Sequence, residues 1–506
     1  MSSPFEIDQS TFRNEIAEVC RVTDTIDDPG KVSDALVTYS HAKALDYRTP
    51  LVRGGRGSGK SFWWAALQRK EHRRWIAESL GAKLTLVDNL KVLPGFGVVR
   101  SDVYPSSRIL VDLASENADH MEDIWLTVVL FQLLSKDKSP YDGMPTWKER
   151  VAWTSNHVEL AIEMLRRSAR ELEETGEHLL IVFDGLDRLA STWENVRPLA
   201  QSILRFVLDL QAYPRVRGKV FLRPDMFDDP GISAFPDASK LKDNHARLDW
   251  NPMELFALFF QRLANAGNDE VATGFREGVE RMLPDRGFLK IAWEKKAGVW
   301  SLPASLRSDY SAQREVFHRI AGRAMSHNQN SVKRGFPYTW LPNHLADSHG
   351  EISPRSFLAA LRESAQVNPP QGSPLALYFT GIQKGVSAAS STRVEEISED
   401  FPWVRELMRP LRGAINVPCD EDELFGIWEG NHVLERILDL GGDETSPQVG
   451  PTDLGAKPFE GLLDNLMRLG IFSRQRESRV QMPDVYRVAF GIGRKGGIPP
   501  IRLAAI

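Results

Sequence analysis

Cysteine is scarce in this chain. There are two, Cys20 and Cys419, among 506 residues. Their spacing is neither paired nor metal-like, which excludes a disulfide scaffold and a cysteine-based zinc site and fits a reducing compartment. Positive charge is not in excess either. Lys and Arg number 63 against 68 Asp and Glu, for a formal net charge of -5. That balance excludes a histone-like or polybasic protein, though not a local basic patch. Long apolar runs are missing. The most apolar helical run, Ile124 to Leu134, covers about half the residues needed to cross a bilayer. The N-terminal residues carry charges where an export signal needs an apolar core. A cytoplasmic protein with no membrane contact is expected. The 11 histidines are scattered and no H-E-x-x-H occurs. No G-x-S-x-G elbow stands out, so a fused nuclease or protease is not supported. There is no internal repeat and no low-complexity tract.

What remains is ordinary globular composition, 42% hydrophobic and 26% charged. The length allows two to four domains at roughly 150 residues each. Residues 1–45 read as an N-terminal helical segment broken at Asp28-Pro29-Gly30. From 46 to 250, strand-like runs alternate with helical ones, the pattern of an α/β domain with a parallel sheet. The strand candidates are Thr49 to Arg53, Arg108 to Ala114, Leu179 to Phe183, Lys219 to Leu222 and Ala246 to Trp250. Leu84 to Gly97 is ambiguous. His120 to Leu134, Trp147 to Glu174 and Trp193 to Leu210 carry helical periodicity. From 251 to 366 four helices follow, with no strong strand between them. Asn368 to Pro374 has linker composition. Residues 375–506 form an α+β module. In it a helix, Phe459 to Leu469, is followed by a short hairpin, the order of a winged helix.

The strongest chemical signal is Gly54-Gly55-Arg56-Gly57-Ser58-Gly59-Lys60-Ser61, which fits G-x-x-x-x-G-K-[ST]. With glycine near 7% of residues, a chain this long matches by chance roughly 0.02 times. An apolar run precedes it and a helix follows, beginning with Ser61 and Phe62. The glycines let backbone N–H groups turn inward around a phosphate, and the helix N-terminus adds its dipole. Lys60 would bridge the β- and γ-phosphates and Ser61 would ligate Mg²⁺.

Leu179 to Asp184 is an apolar run ending in an acid. At the carboxyl edge of a parallel sheet, Asp184 would hold Mg²⁺ beside the phosphate loop. Together, Phe183-Asp184-Gly185-Leu186-Asp187-Arg188 resembles the Walker B segment of STAND and related AAA+-like P-loop ATPases. The resemblance implies that Asp187 helps orient the attacking water or supports the Mg²⁺ shell. Arg188 stands where many relatives carry Glu, and the position directly after the Walker B Asp is Gly185. Lys219 to Phe227, with Phe221-Leu222-Arg223-Pro224-Asp225-Met226-Phe227, resembles the sensor-1 strand of this group. That strand is expected between the phosphate-loop and Walker B strands, with Arg223 or Asp225 reaching the γ-phosphate or acting as a salt-bridge partner. Leu248 to Pro252 resembles the exit into a helical lid. Ser353-Pro354-Arg355 resembles the start of a sensor-2 helix, which implies that Arg355 points at the nucleotide phosphates.

The expected fold is therefore α/β: a P-loop NTPase core with a parallel sheet, a helical lid and a C-terminal winged-helix-like module. The expected cofactors are ATP and Mg²⁺. ATP is favoured over GTP because no clear N-K-x-D follows the sheet. The resemblance implies an ATP-hydrolysing switch coupled to a protein partner or to homo-oligomerisation, of a kind found in bacterial defence systems. Two alternatives stay open. One is a non-hydrolysing ATP-binding assembly protein. The other is a DNA-dependent ATPase or regulator whose C-terminal module turns Arg479, Arg487, Arg494 and Lys495 toward DNA phosphates.

Overall fold

A computed structural model of the chain describes residues 5–22, 28–80, 89–99, 101–283, 292–440, 457–475 and 479–494. The chain divides into two compact units. One comprises Asp24–Val32 and Val37–Asp249; the other comprises Met1–Thr23, Ser33–Leu36 and Trp250–Ile506. We call them the sheet unit and the helical unit.

The sheet unit is built on five strands: β1 (Leu51–Arg53), β2 (Leu90–Phe96), β3 (His178–Phe183), β4 (Val216–Leu222) and β5 (His245–Arg247). Their spatial order is β2-β3-β4-β1-β5 and every pairing is parallel. Parallel neighbours need crossover helices, which cover both faces and demand apolar side chains on both. This is why Leu179 to Phe183 are all fully buried. The ambiguous stretch resolves as β2 at the sheet edge, while residues 84–88 within it lie outside the described residues. β4 stands between β1 and β3, where the resemblance placed it.

A charged residue lies inside this core. Lys219 on β4 is fully buried. Its ammonium donates to the carbonyls of Ala44, Asp46 and Thr49 at 2.9, 2.9 and 2.6 Å, tying the segment before β1 to the centre of the sheet. Desolvation pushes its pKa down to about 7.

Arg108 to Ala114 is not a strand. It lies in a helix, Ser107–Glu116, that turns Leu110, Leu113 and Ala114 inward and leaves Ile109 37% exposed. A short apolar run has no period of its own, and here the three-and-four spacing of its buried residues decides the outcome. The helical stretch from Trp147 is two helices, Trp147–Asn156 and Val158–Thr175, separated at His157.

The helical unit contains Pro252–Ala264, Asp269–Met282, Tyr310–Ala321, Pro337–Leu345 and Pro354–Ala365. Contrary to expectation, strands do interrupt them. Glu294–Lys296 and Val299–Ser301 pair as an antiparallel hairpin. Its turn, Ala297-Gly298, has φ of 46° and 83°, the doubly left-handed conformation that suits a two-residue hairpin loop. A 22-residue helix, Phe379–Asp400, follows and packs along Pro354–Ala365 and Asp484–Phe490. Beyond it, Cys419–Asp420, Ser473–Arg474 and Arg479–Gln481 form a three-stranded antiparallel sheet with the last of these in the middle. Glu421–Gly430, Val433–Leu440 and Pro458–Arg468 come between its first and second strands, giving a winged-helix-like module with its own apolar core. No helix among the described residues is long and apolar enough to cross a membrane.

Candidate nucleotide site

β1 ends at Arg53, and the chain leaves the sheet as the loop from Gly54 to Gly59. The Gly54 amide donates to the Leu222 carbonyl at 3.1 Å, holding the loop root against β4. A Cβ at Gly54 would lie 2.4 Å from Ser58 Oγ and 3.2 Å from Leu248 Cβ, so only glycine fits this approach. Gly59 has φ of 102°, which delivers the chain into the helix Lys60–Gln68. That helix is anchored by Trp64, whose indole N–H donates to the Val182 carbonyl at 3.2 Å. Phe62 lies edge-on to Trp63, with ring centroids 4.9 Å apart. Gly55, Arg56 and Gly57 form the partly exposed outer rim of the loop.

The Lys60 ammonium folds back over the loop and donates to the Gly54 and Gly55 carbonyls at 2.8 and 2.9 Å. Desolvation is the largest influence on it and brings its pKa down to about 8, against the opposing attraction of Asp184. It therefore remains mostly protonated at neutral pH.

Asp184 follows β3 and is buried. Desolvation pushes its carboxyl above the ordinary range, while hydrogen bonding to the Ser61 hydroxyl and the Lys60 charge pull the other way. One of its oxygens, Oδ2, is buried with no hydrogen-bond partner. A buried carboxylate oxygen without a donor, beside a serine hydroxyl, is a donor set suited to a hard divalent cation such as Mg²⁺. Among the described residues no cluster of three or more His, Cys, Asp or Glu could hold a metal by itself. A Mg²⁺ ion that takes most of its ligands from phosphates and water needs no such cluster.

Asp187 lies on a single turn, Leu186–Arg188, after Asp184 and Gly185. Its Oδ2 is 3.3 Å from Arg223 Nη1. Arg223, at the end of β4, also grips Asp225 with two bonds of 3.0 Å, Nε to Oδ1 and Nη2 to Oδ2. The structure thus brings Lys60, Ser61, Asp184, Asp187, Arg223 and Asp225 to the carboxyl edge of one sheet. Of the two roles expected of Arg223 and Asp225, the salt-bridge role is the one seen here, with each other.

Arg355 belongs to the helical unit. It opens the helix Pro354–Ala365, where Ser353 caps by accepting from the Ser356 amide at 3.4 Å. Its guanidinium donates to Glu396 Oε1 at 2.7 Å, and Glu396 is also 3.5 Å from Arg393. No motif could have announced Glu396, which lies 41 positions away in a helix the sequence had left unassigned.

The C-terminal arginines do not share one exposed face. Arg487 is fully buried against Asp484, with Nε to Oδ1 at 2.6 Å. Arg494 also approaches Asp484, at 3.4 Å, and Arg479 donates to the Pro418 carbonyl at 2.8 Å. A guanidinium committed to a buried carboxylate is not available to DNA phosphates, which removes Arg487 from that set. Lys495 lies outside the described residues.

No protein-family model matches the chain, and no curated protein is similar to it in sequence. Among solved structures it is similar to the Aeropyrum pernix ORC2 protein in its ADPNP–ADP complexes. The identity is 12%, with 91% of this chain and 93% of that chain covered and a TM-score of 0.40. It is also similar to Cdc6p from Pyrobaculum aerophilum, at 12% identity, 92% and 94% coverage and a TM-score of 0.29. Likenesses at this level assign no activity.

Proposed function

We propose that the sheet unit binds ATP with Mg²⁺ at the Gly54–Phe62 loop and hydrolyses it. The observation that carries this reading is a pair of groups at the same edge of the sheet, beyond the ends of β1 and β3, the two strands that flank β4. One is a lysine ammonium resting on the carbonyls of its own glycine loop. The other is a buried aspartate with an unpartnered oxygen beside the serine that follows that lysine.

A triphosphate offers Lys60 oxygens stronger than two backbone carbonyls, and its charge would restore the ammonium's basicity. The loop amides and the helix N-terminus receive the remaining phosphate charge. Ser61 and Asp184 would hold Mg²⁺, which supplies charge neutralisation to the β- and γ-phosphoryl oxygens. Asp187 orients the attacking water, and the protein's contribution is position and charge rather than covalent chemistry.

The AAA+/STAND-like motifs extend this reading to a switch of a bacterial defence system, in which nucleotide state sets partner binding or homo-oligomerisation. A second reading, a slow or non-hydrolysing ATP-binding assembly protein, is favoured by one observation: Asp187 is already engaged by Arg223.

Titration of the purified chain with Mg-ATP, with Lys60→Ala as control, tests the binding reading. Phosphate release in wild type and Asp187→Asn separates the two versions. Lys60-dependent binding with Asp187-dependent release is expected. Failure of wild type to bind at millimolar nucleotide overturns both.

A further inference from the structure

At the amino edge of the sheet, away from the phosphate loop, the clustered charges are of one sign. Parallel pairing sets Leu51 beside Val220 and Leu179 beside Val216, so the residues around these strand starts come together. They are Tyr47 and Arg48 before β1, His178 opening β3, and Arg215 and Arg217 at the start of β4. Tyr47 and His178 meet edge-on, with ring centroids 5.2 Å apart. The Arg217 guanidinium lies 6.0 Å from the Tyr47 ring centroid, and Arg215 Nη1 is 3.4 Å from both ring nitrogens of His178. Desolvation, then Arg215, Arg217 and Arg48, hold His178 below its ordinary pKa, and the same three arginines act on Tyr47. Among the described residues no acid answers them. Asp46 Oδ1 accepts from the Arg48 backbone amide at 2.7 Å, and Glu177 accepts from the Thr175 hydroxyl. Arg217 is partly spent on the Tyr213 and Val216 carbonyls, both at 2.6 Å. Arg48 and Arg215 have no carboxylate partner among the described residues.

Tyr47 supplies an independent observation. It is 5% exposed, and its hydroxyl is buried with no hydrogen-bond partner among the described residues. Buried hydroxyls are ordinarily satisfied, and one left open beside three cations points to an acceptor from outside the chain. The segment that carries it is fixed, because Lys219 holds the carbonyls of Ala44, Asp46 and Thr49 on either side.

We propose that Tyr47, Arg48, His178, Arg215 and Arg217 form an anion site for a phosphate monoester, separate from the phosphate loop. Arg48 and Arg215 supply charge-assisted donors and Arg217 adds its charge. The Tyr47 hydroxyl donates to an oxygen of the same group. His178 is relieved of the repulsion from Arg215 once the anion engages that guanidinium. A monoester brings close to two negative charges and three acceptor oxygens, which three guanidiniums and a hydroxyl can share. A phosphodiester brings one charge and two free oxygens and leaves donors unused. The site does not depend on the nucleotide reading above.

Calorimetry of the full-length chain with inorganic phosphate, in chloride buffer, tests the site. Wild type and Lys60→Ala, in which the phosphate loop has lost its cation, should both take up phosphate at millimolar concentration. In the Lys60→Ala background, Arg48→Gln and Arg215→Gln should each weaken that uptake by about tenfold, the worth of one charge-assisted hydrogen bond. Tyr47→Phe should weaken it by about as much and leave the unliganded melting temperature unchanged or higher, because it removes a hydroxyl that the fold itself leaves unpaired. A merely structural hydroxyl would give the reverse: a lower melting temperature with phosphate affinity unmoved. A nucleoside monophosphate should show the same dependence on Arg48 and Arg215, and an unphosphorylated oligonucleotide should not. Three results overturn the site: no phosphate uptake by Lys60→Ala while wild type binds, affinity unmoved when Arg48→Gln and Arg215→Gln are combined, or tighter binding of the unphosphorylated oligonucleotide that those two substitutions abolish. The absence of uptake by wild type overturns it as well. Failure of wild type to bind Mg-ATP sinks the nucleotide reading and leaves this site standing.

Discussion

Lys60 Nζ lies 2.8 Å from the carbonyl oxygen of Gly54, the residue at which β1 gives way to the loop. The cation that would bind phosphate is thus satisfied by the loop's own backbone, and ligand binding becomes an exchange of acceptors rather than the filling of a bare site. The cost of desolvating the ammonium is already met in the folded chain, so a phosphate needs only to be a better acceptor than two carbonyls.

Removing that cation should separate binding from folding. In Lys60→Ala the affinity for Mg-ATP should fall by about a hundredfold or more, the worth of two charge-assisted bonds. The unliganded melting temperature should hold, because a partly desolvated charge is lost along with its bonds. Calorimetry and a thermal melt check both. Undiminished affinity would sink the phosphate-loop assignment.

Asp184 makes a prediction with two opposite signs. Burial disfavours its ionised form, so Asp184→Asn should leave the unliganded chain as stable or more so. The same change removes the anionic ligand, and Mg²⁺ affinity in the presence of ATP should drop by at least about tenfold. Thermal shifts with ATP and Mg²⁺, against ATP and a chelator, read the two effects separately. A variant that keeps the full metal-dependent shift would place the cation elsewhere.

Lys219 predicts a pH dependence. Its folded pKa of about 7 lies below its ordinary 10.5, so the unfolded chain holds a proton that the folded one has released. Stability must then rise with pH across that window, and the gain is lost as pH falls back toward 7. Lys60 acts in the same direction from about 8 upward. Urea midpoints should climb between about pH 7 and about pH 9, and climb less in Lys219→Met. An equal climb in the variant would show that the ammonium is not the titrating group.

Arg487 tests the inward-facing reading of the C-terminal module. It pairs with Asp484, which is also within 3.5 Å of His344. Arg487→Ala leaves a buried carboxylate short of its main partner and should cost about 3 kcal/mol of stability by denaturant titration. Were Arg487 a DNA-phosphate contact, the variant would keep its stability and lose only salt-dependent DNA affinity.

Much of the fold could be read before any coordinates. Leu179 to Phe183 is a continuous β-favouring run with no polar side chain, the kind buried in a parallel sheet. The glycines from Gly54 to Gly59, followed by Lys60 and Ser61, announced a tight turn into a helix. Arg108 to Ala114 failed because its five apolar residues, broken by Asp112, satisfy either period. The hairpin at Glu294 to Ser301 failed because its strands are mostly polar and its signal is a two-residue turn. The helix Phe379–Asp400 was invisible because it alternates small and polar residues, Gly381, Gly385 and Ala389 among them, that are buried by close approach to neighbours rather than by apolar character.

By itself, then, the sequence determined local backbone conformation and the kinds of chemistry on offer: which segments must be strands, where glycine must turn, and which acids and bases end them. Those follow from side-chain shape and hydrophobic period, which act over a few residues. Only the tertiary structure decided partnership. That Arg223 is divided between Asp187 and Asp225, that Arg355 is held by Glu396 and that Arg487 faces Asp484 rather than solvent depend on strand order and helix packing. Ion pairing takes effect over a few ångströms of space, and no local rule of the chain carries that distance.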